Sequence, residues 1–146
     1  APATEASNSD RRRSVMSRAA LECGIDTFEG TTMDAIRKKS LALSELFRAV
    51  VNQECIDVGL TCVTPTDPEE RGSQLSFAHD NAYAIMQALI DRGVVGDFRR
   101  PDLMRFGFTP LYVRFVDCWD AVLTLRDVLL SGAWKADKYQ RLNTVT

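Results

Sequence analysis

The sequence predicts an α+β fold in which helices cover a small, mainly antiparallel sheet. Two helical segments come first, followed by two strands, a helix, two more strands and a last helix, so strands and helices do not alternate as in parallel α/β folds. Apolar residues recur every three or four positions in the helical segments and every second position in the strands. With 146 residues, of which 45% are hydrophobic, the chain is long enough to bury one core.

The first predicted helix begins at Ser14, where the sequence acquires an apolar period, and it ends at Gly30. Its apolar residues are Val15, Ala19, Ile25 and Phe28. The preceding residues, 1–13, are polar and show no such period, so we expect them to be a disordered lead-in.

The second predicted helix is the longest element and runs from Thr31 to about Cys55. Thr31 with Asp34 three residues later resembles a capping box, which places the start of the helix. Its apolar stripe consists of Ile36, Leu43, Leu46, Phe47 and Val50. A short strand is predicted at Leu60–Cys62, and the prolines and glycine of residues 65–72 indicate a turn-rich loop.

The segment Ser73–His79 alternates between apolar and polar side chains, which predicts a half-buried strand with Leu75 and Phe77 on one face. We expect Asp80 to cap the next helix and Gly93 to end it, because glycine is favoured just after a helix. The predicted inner face of this helix consists of Ala82, Ile85, Met86, Leu89 and Ile90.

Two further strands are predicted at Val94–Phe98 and Leu103–Phe108, with a turn between them. The last helix is expected at Phe115–Leu130, and Gly132 should end it. Its apolar residues include Val116, Trp119, Val122, Leu123 and Leu125. The remaining residues, 133–146, are predicted to form a polar tail.

Composition and charge exclude several classes of protein. The formal charge of −2 predicts no nucleic-acid binding, because such proteins neutralise phosphates with basic patches. No apolar run approaches the roughly 18 residues of a membrane span, and no secretory signal is visible, so we expect no membrane association and a cytoplasmic location. Four cysteines without a C-x-x-C pair and a single histidine, His79, predict free thiols and no metal site.

One residue stands out on physical grounds. Arg105 lies in an apolar strand, where its guanidinium must find a partner or a wet cleft. By alternation it shares a face with Leu103 and Gly107, and Gly107 would leave room for a ligand. Two interpretations stay open here: an edge-strand arginine paired with a carboxylate such as Asp97, or a clamp for a carboxylate ligand. The spacing of other residues indicates no catalytic site, and we expect His79 to be a surface or capping residue.

Several runs, in this order along the chain, are similar to one enzyme family. They are LALSELF at 41–47, RGSQLSF at 71–77, DRGVVGDFR at 91–99, MRFGFTPLY at 104–112 and RFVDCWDAV at 114–122. Their ordered combination resembles the C-terminal part of kynureninase and covers about residues 14–132. Each short run is much less specific than the combination.

The resemblance implies a fold and an activity. Kynureninases are pyridoxal-phosphate enzymes of the aspartate-aminotransferase fold group, that is, fold type I. They hydrolyse L-kynurenine to anthranilate and L-alanine as homodimers. Their small C-terminal domain is α+β, which agrees with the element order above. In the family, the arginine that matches Arg105 binds the α-carboxylate of the substrate, so the resemblance implies this role for Arg105.

The rest of the family's active site has no counterpart here. Its cofactor lysine and phosphate ligands lie in a large N-terminal domain, and the lysines of this chain are Lys38, Lys39, Lys135 and Lys138, none of them in the family's lysine motif. We therefore expect no catalytic or cofactor-binding residue in this chain and no activity without a large domain or partner chain. The alternative is a non-enzymatic binding module or an inactive remnant of the fold. The sequence does not indicate whether kynurenine or 3-hydroxykynurenine is the preferred substrate.

Overall fold

A computed structural model of the chain describes residues 8–141, with side chains described from Val15 onward. The described residues belong to two compact units that meet in the chain between Ile36 and Arg37. The first unit contains helix α1 (Asn8–Asp26) and the first turn of α2 (Met33–Glu54). The second unit contains the remainder of α2 and every strand that the structure describes.

Within the first unit, α1 begins six residues before the predicted start at Ser14. The expected disordered lead-in is therefore wrong for residues 8–13, which have helical backbone, while residues 1–7 lie outside the described part of the chain. Arginine favours helix strongly, so a run of arginines can extend a helix that has no apolar period there. The cap of α2 is also shifted by one residue: the hydroxyl of Thr32, and not that of Thr31, accepts the amide N–H of Ala35 at 3.2 Å.

The second unit is built on a four-stranded antiparallel sheet. Its strands are β1 (Thr61–Cys62), β2 (Gln74–Ala78), β3 (Asp97–Arg99) and β4 (Leu103–Gly107). They lie in the order β1-β2-β4-β3, so β4 is an interior strand between β2 and β3. This confirms the predicted α+β class and the antiparallel sheet.

Three more helices complete this unit: α3 (Ala82–Ile90), α4 (Phe115–Ser131) and the short α5 (Asp137–Gln140). Gly93 and Gly132 follow α3 and α4 with φ values of 84° and 66°, as predicted for glycines that end a helix. Across residues 8–141, no helix is both long enough and apolar enough to cross a bilayer.

The core of this unit lies between one face of the sheet and its helices. Phe47 of α2 contacts Phe106 and Phe108, with ring centroids 5.0 and 5.3 Å apart, and Phe106 contacts Phe77 of β2. From the other helices, the fully buried side chains include Ile85, Met86, Leu89, Val122, Leu125 and Val128. The alternation of β2 and β4 is thus confirmed, and so is the predicted stripe of α2 at Leu43, Leu46, Phe47 and Val50, whereas Ile36 is not part of this core.

Two predicted helix faces are partly wrong. Ile90 is 41% exposed, and Ala84 and Ala88 are buried in its place. On α4, Val116 and Trp119 are exposed, whereas Cys118 is buried. Large apolar side chains outside the core are common on protein surfaces, so hydrophobicity alone did not identify the inward face.

Two elements also begin at other residues than predicted. Asn81, and not Asp80, precedes α3, because a ring nitrogen of His79 accepts the Asn81 amide N–H at 2.9 Å. The strand predicted at 94–98 lies instead at 97–99, because the amide of Val94 donates to the carbonyl of Leu89 and completes the end of α3.

The predicted polar tail packs against the domain over its described part, residues 133–141. Tyr139 is buried, and its hydroxyl donates to Asp91 at 3.0 Å, while Lys138 donates to the same carboxylate at 2.7 Å. These two hydrogen bonds lower the pKa of Asp91. Tyr83 donates to the carbonyl of Arg141 at 2.9 Å. The two aromatic residues that the sequence places in this tail, Trp134 and Tyr139, pack against or within the core. Residues 142–146 lie outside the described part.

Candidate functional site

The second face of the sheet carries polar side chains and is not part of the core. Because side chains alternate along each strand, the residues opposite Met104 and Phe106 point to this face. The strand register places Ser76 of β2, Arg105 of β4 and Asp97 of β3 directly beside one another in one row. This polar sheet face, centred on Arg105, is the candidate site.

Arg105 makes a two-pronged ion pair with Asp97. Its Nε donates to Oδ1 at 2.7 Å, and its Nη2 donates to Oδ2 at 2.5 Å. The hydrogen bond from Arg105 lowers the pKa of Asp97, with the positive charge of the guanidinium acting in the same direction. Of the two interpretations from sequence, the pairing with Asp97 is therefore observed. The expectation of an edge strand is wrong, because β3 pairs with the outer side of β4.

The ion pair uses Nε and Nη2 of Arg105 but not Nη1. Among the residues that the structure describes, none accepts a hydrogen bond from Nη1 of Arg105, and the side chain is 29% exposed. Gly107, on the same face and two residues along the strand, borders open space, because a Cβ placed there would meet no atom within 4 Å. The guanidinium is therefore partly open to solvent beside Gly107.

A second arginine shares the carboxylate of Asp97. Arg99 lies two residues along β3 on the same face, and its Nη2 donates to Oδ2 of Asp97 at 3.2 Å. Its side chain is 59% exposed. Two guanidinium groups and one carboxylate leave this cluster with one net positive charge, which favours an anionic ligand.

Three other arginines fasten the loop before β2 to helix α2. The buried guanidinium of Arg71 donates to Ser44 at 2.7 Å and pairs with Glu45. In the opposite direction, two arginines of α2 donate to loop carbonyls: Arg48 to that of Pro65 and Arg37 to those of Pro68 and Arg71. These arginine contacts were not predicted from the sequence, although polar residues recur at helical spacing on α2.

His79 and the cysteines are structural in the described residues. The other ring nitrogen of His79 lies 3.1 Å from the carbonyl oxygen of Val58, so both nitrogens have backbone partners. These backbone contacts beside the start of α3 agree with the expectation of a surface or capping residue. Cys55 and Cys118 are buried, and burial raises the pKa of each thiol to about 11. No group of three metal-ligating side chains occurs in the part of the chain that the structure describes.

The four lysines lie away from the row of Arg105. Lys39 donates to the carbonyl of Pro110 at 2.6 Å, and Lys38 is exposed. Lys135 lies over the ring of Trp134, and Lys138 is exposed and paired with Asp91, a hydrogen bond that raises its pKa.

Comparisons with known proteins place the chain in a family. A family model described as kynureninase C-terminal domain matches residues 36–125. The chain is 53% identical over 132 residues to a kynureninase of Burkholderia mallei and to one of Burkholderia pseudomallei, and 49% identical to one of Pseudomonas fluorescens. Each match covers 90% of this chain but only 32% of the relative, so the chain spans about a third of their length. The chain therefore belongs to the kynureninase family, whose C-terminal domain it contains.

Proposed function

We propose that this domain supplies Arg105 as the ligand for the substrate α-carboxylate of a kynureninase. The complete enzyme would hydrolyse L-kynurenine to anthranilate and L-alanine. The observation that supports this role is the free Nη1 edge of Arg105 on an accessible, net positive sheet face. The family resemblance assigns the same role to the arginine of this motif.

The guanidinium would orient the substrate rather than react with it. A carboxylate that accepts two parallel hydrogen bonds from an arginine is fixed in both position and plane. Such binding would present the amino-acid portion of kynurenine to the reacting groups in one orientation. Amines that lack the carboxylate would lose this contact, so the arginine would also select amino acids over amines.

The cofactor of the complete enzyme, pyridoxal phosphate, supplies the electron sink for the cleavage. The residues of this chain do not fit its attachment. An attachment lysine needs a lowered pKa and a desolvated pocket, whereas Lys138 has a raised pKa and Lys38 is exposed. We therefore propose that the cofactor site lies in the part of the protein that this chain does not cover. Borohydride reduction of the lone chain with the cofactor should label no single lysine stoichiometrically.

The remaining features of the complete enzyme are also proposals. The family resemblance implies a homodimer, and sedimentation of the assembled enzyme would test it.

The substrate role is tested by assembling the domain with a large domain. The C-terminal third of the Burkholderia pseudomallei kynureninase is replaced by this chain, and anthranilate release is measured. Arg105→Lys keeps the charge but loses the planar fork, so kcat/KM for kynurenine should fall about tenfold or more. Arg114→Lys is the control, because Arg114 is exposed at the residue before α4 and pairs with Asp117.

An unchanged kcat/KM in Arg105→Lys would contradict the proposal. A folded assembly that binds carboxylates and releases no anthranilate would favour the alternative, a non-enzymatic binding module.

A further inference from the structure

We propose that Asp97 is a positioning residue that holds the guanidinium of Arg105 in the orientation needed for the substrate carboxylate. The inference rests on the proposed role of Arg105 as the carboxylate ligand. Asp97 would not touch the substrate; it would act only through Arg105.

The geometry of the pair supports this role. Asp97 accepts from Nε and Nη2, which form the side edge of the guanidinium. The group is planar, so fixing this edge also fixes the direction of the remaining edge, which carries Nη1. A mobile arginine side chain would lose rotamer entropy on binding a ligand, whereas one already held by Asp97 has lost most of it.

The backbone delivers Asp97 to this position. Asp97 and Arg105 are direct cross-strand partners, so their Cβ atoms are close on one face of the sheet. The preceding Gly96 passes against β4 so closely that a Cβ on it would lie 2.7 Å from the carbonyl oxygen of Arg105 and 2.8 Å from Cε of Met86. Only glycine allows this close approach of the backbone to β4. Gly96 therefore lets the chain place the carboxylate of Asp97 beside Arg105.

The charges leave Arg105 available for a second anion. Asp97 shares its Oδ2 between Arg105 and Arg99, so one carboxylate faces two guanidinium groups. A substrate carboxylate on the Nη1 edge would balance the charge that Asp97 leaves unmatched. Asp97 would then orient Arg105 without neutralising the whole cluster.

If Asp97 instead competed with the substrate carboxylate for Arg105, its removal would change KM in the opposite direction. If Asp97 occupied the place of the substrate carboxylate, its removal would free Arg105 and lower KM. If Asp97 positions Arg105, its removal should raise KM, while kcat changes little because no reacting group is lost. The sign of the change in KM therefore separates the two roles.

The experiment uses the assembled enzyme described above with Asp97→Asn, Asp97→Glu and Arg105→Lys. Asp97→Asn should raise KM for kynurenine about tenfold, with kcat within a factor of about three, since a charge-assisted pair is lost. Asp97→Glu keeps the carboxylate and should recover much of that loss. Asp127→Asn is the matched control, because Asp127 is an exposed aspartate that pairs with Arg126 on α4.

A KM that falls or stays unchanged in Asp97→Asn overturns the inference. If Arg105→Lys lowers kcat/KM while Asp97→Asn does not, only the positioning role fails. If Arg105→Lys is without effect, the proposed function itself fails.

A second measurement uses the chain by itself and does not depend on assembly or turnover. In the wild-type chain, the Nε–H proton of Arg105 should exchange slowly with water, because Asp97 accepts it. The exchange should become fast in Asp97→Asn and stay slow in Asp97→Glu, as followed by proton–nitrogen NMR. Fast exchange in the wild-type chain would overturn the inference.

Discussion

Arg71 and Arg105 are two arginines of one small domain that differ in burial and in pairing. The side chain of Arg71 is 1% exposed and directs both terminal nitrogens to helix α2, through Ser44 and Glu45. The side chain of Arg105 is 29% exposed, pairs through one edge only and has an open neighbour in Gly107. An arginine whose terminal nitrogens are both directed to a neighbouring element holds the fold together, whereas Arg105 keeps one edge free on an exposed face, which is the property that the proposed ligand role requires.

The largest expected effect in this comparison is on stability, at Arg71. Arg71→Ala should lower the free energy of unfolding by about 3 kcal/mol, because it removes a buried guanidinium and frees the loop before β2. This loss lies at the lower end of the range for breaking a buried ion pair. The side chain of Glu45 is 51% exposed, so water can solvate its carboxylate once Arg71 is removed. Urea unfolding of the chain measures it, with Arg114→Ala as the exposed control. An equal effect in both variants would contradict the structural role of Arg71.

A somewhat smaller loss is expected at the turn that delivers Asp97. Gly96→Ala should lower the free energy of unfolding by roughly 1–3 kcal/mol, because the new Cβ would be too close to the backbone of β4 and to Met86. Gly72→Ala is the matched control, since a Cβ at Gly72 would meet no atom within 4 Å. Similar urea midpoints for the two variants would argue against the close approach of Gly96.

The smallest effect is the pH dependence of the ion pair at Asp97. Its folded pKa is lowered, so the pair contributes stability above the unfolded pKa of about 3.9 and loses it as the pH falls through the lower, folded pKa. The difference in stability between the wild-type chain and Asp97→Asn should therefore be present at pH 7 and shrink below about pH 4. Urea unfolding across this range measures it, and a difference that grew on acidification would contradict the pair.

The sequence predicted the faces of the sheet better than its edges. Alternation correctly placed Arg105 opposite Met104 and Phe106, because the period of a strand fixes which side chains share a face. It could not show that β4 lies between two strands, since strand order depends on pairing between distant segments. For the same reason, the side-chain partners of Arg71, which lie 26 and 27 residues away, were not predictable from local spacing.

Two predictions from local sequence patterns were wrong because other contacts determine the structure at those positions. Asp80 looked like a helix cap, but a ring nitrogen of His79 accepts the amide hydrogen that precedes α3. The segment after Gly132 looked like a tail because its charges outnumber its aromatic residues, and yet Tyr139 is buried. Arg105 was predicted as the centre of the candidate site because it is a charged residue in an apolar strand, whereas its proposed role as a carboxylate ligand rests on the family resemblance.

The most direct test of the account is whether Arg105 recognises a carboxylate. In the assembled enzyme, L-alanine and ethylamine are compared as competitive inhibitors, because they differ only in the carboxylate. The wild-type enzyme should prefer L-alanine, and Arg105→Lys should reduce that preference about tenfold. The reason is that removing the carboxylate from the ligand and replacing Arg105 abolish the same contact. Arg114→Lys should keep the wild-type preference. A preference for L-alanine that is unchanged in Arg105→Lys would contradict the account.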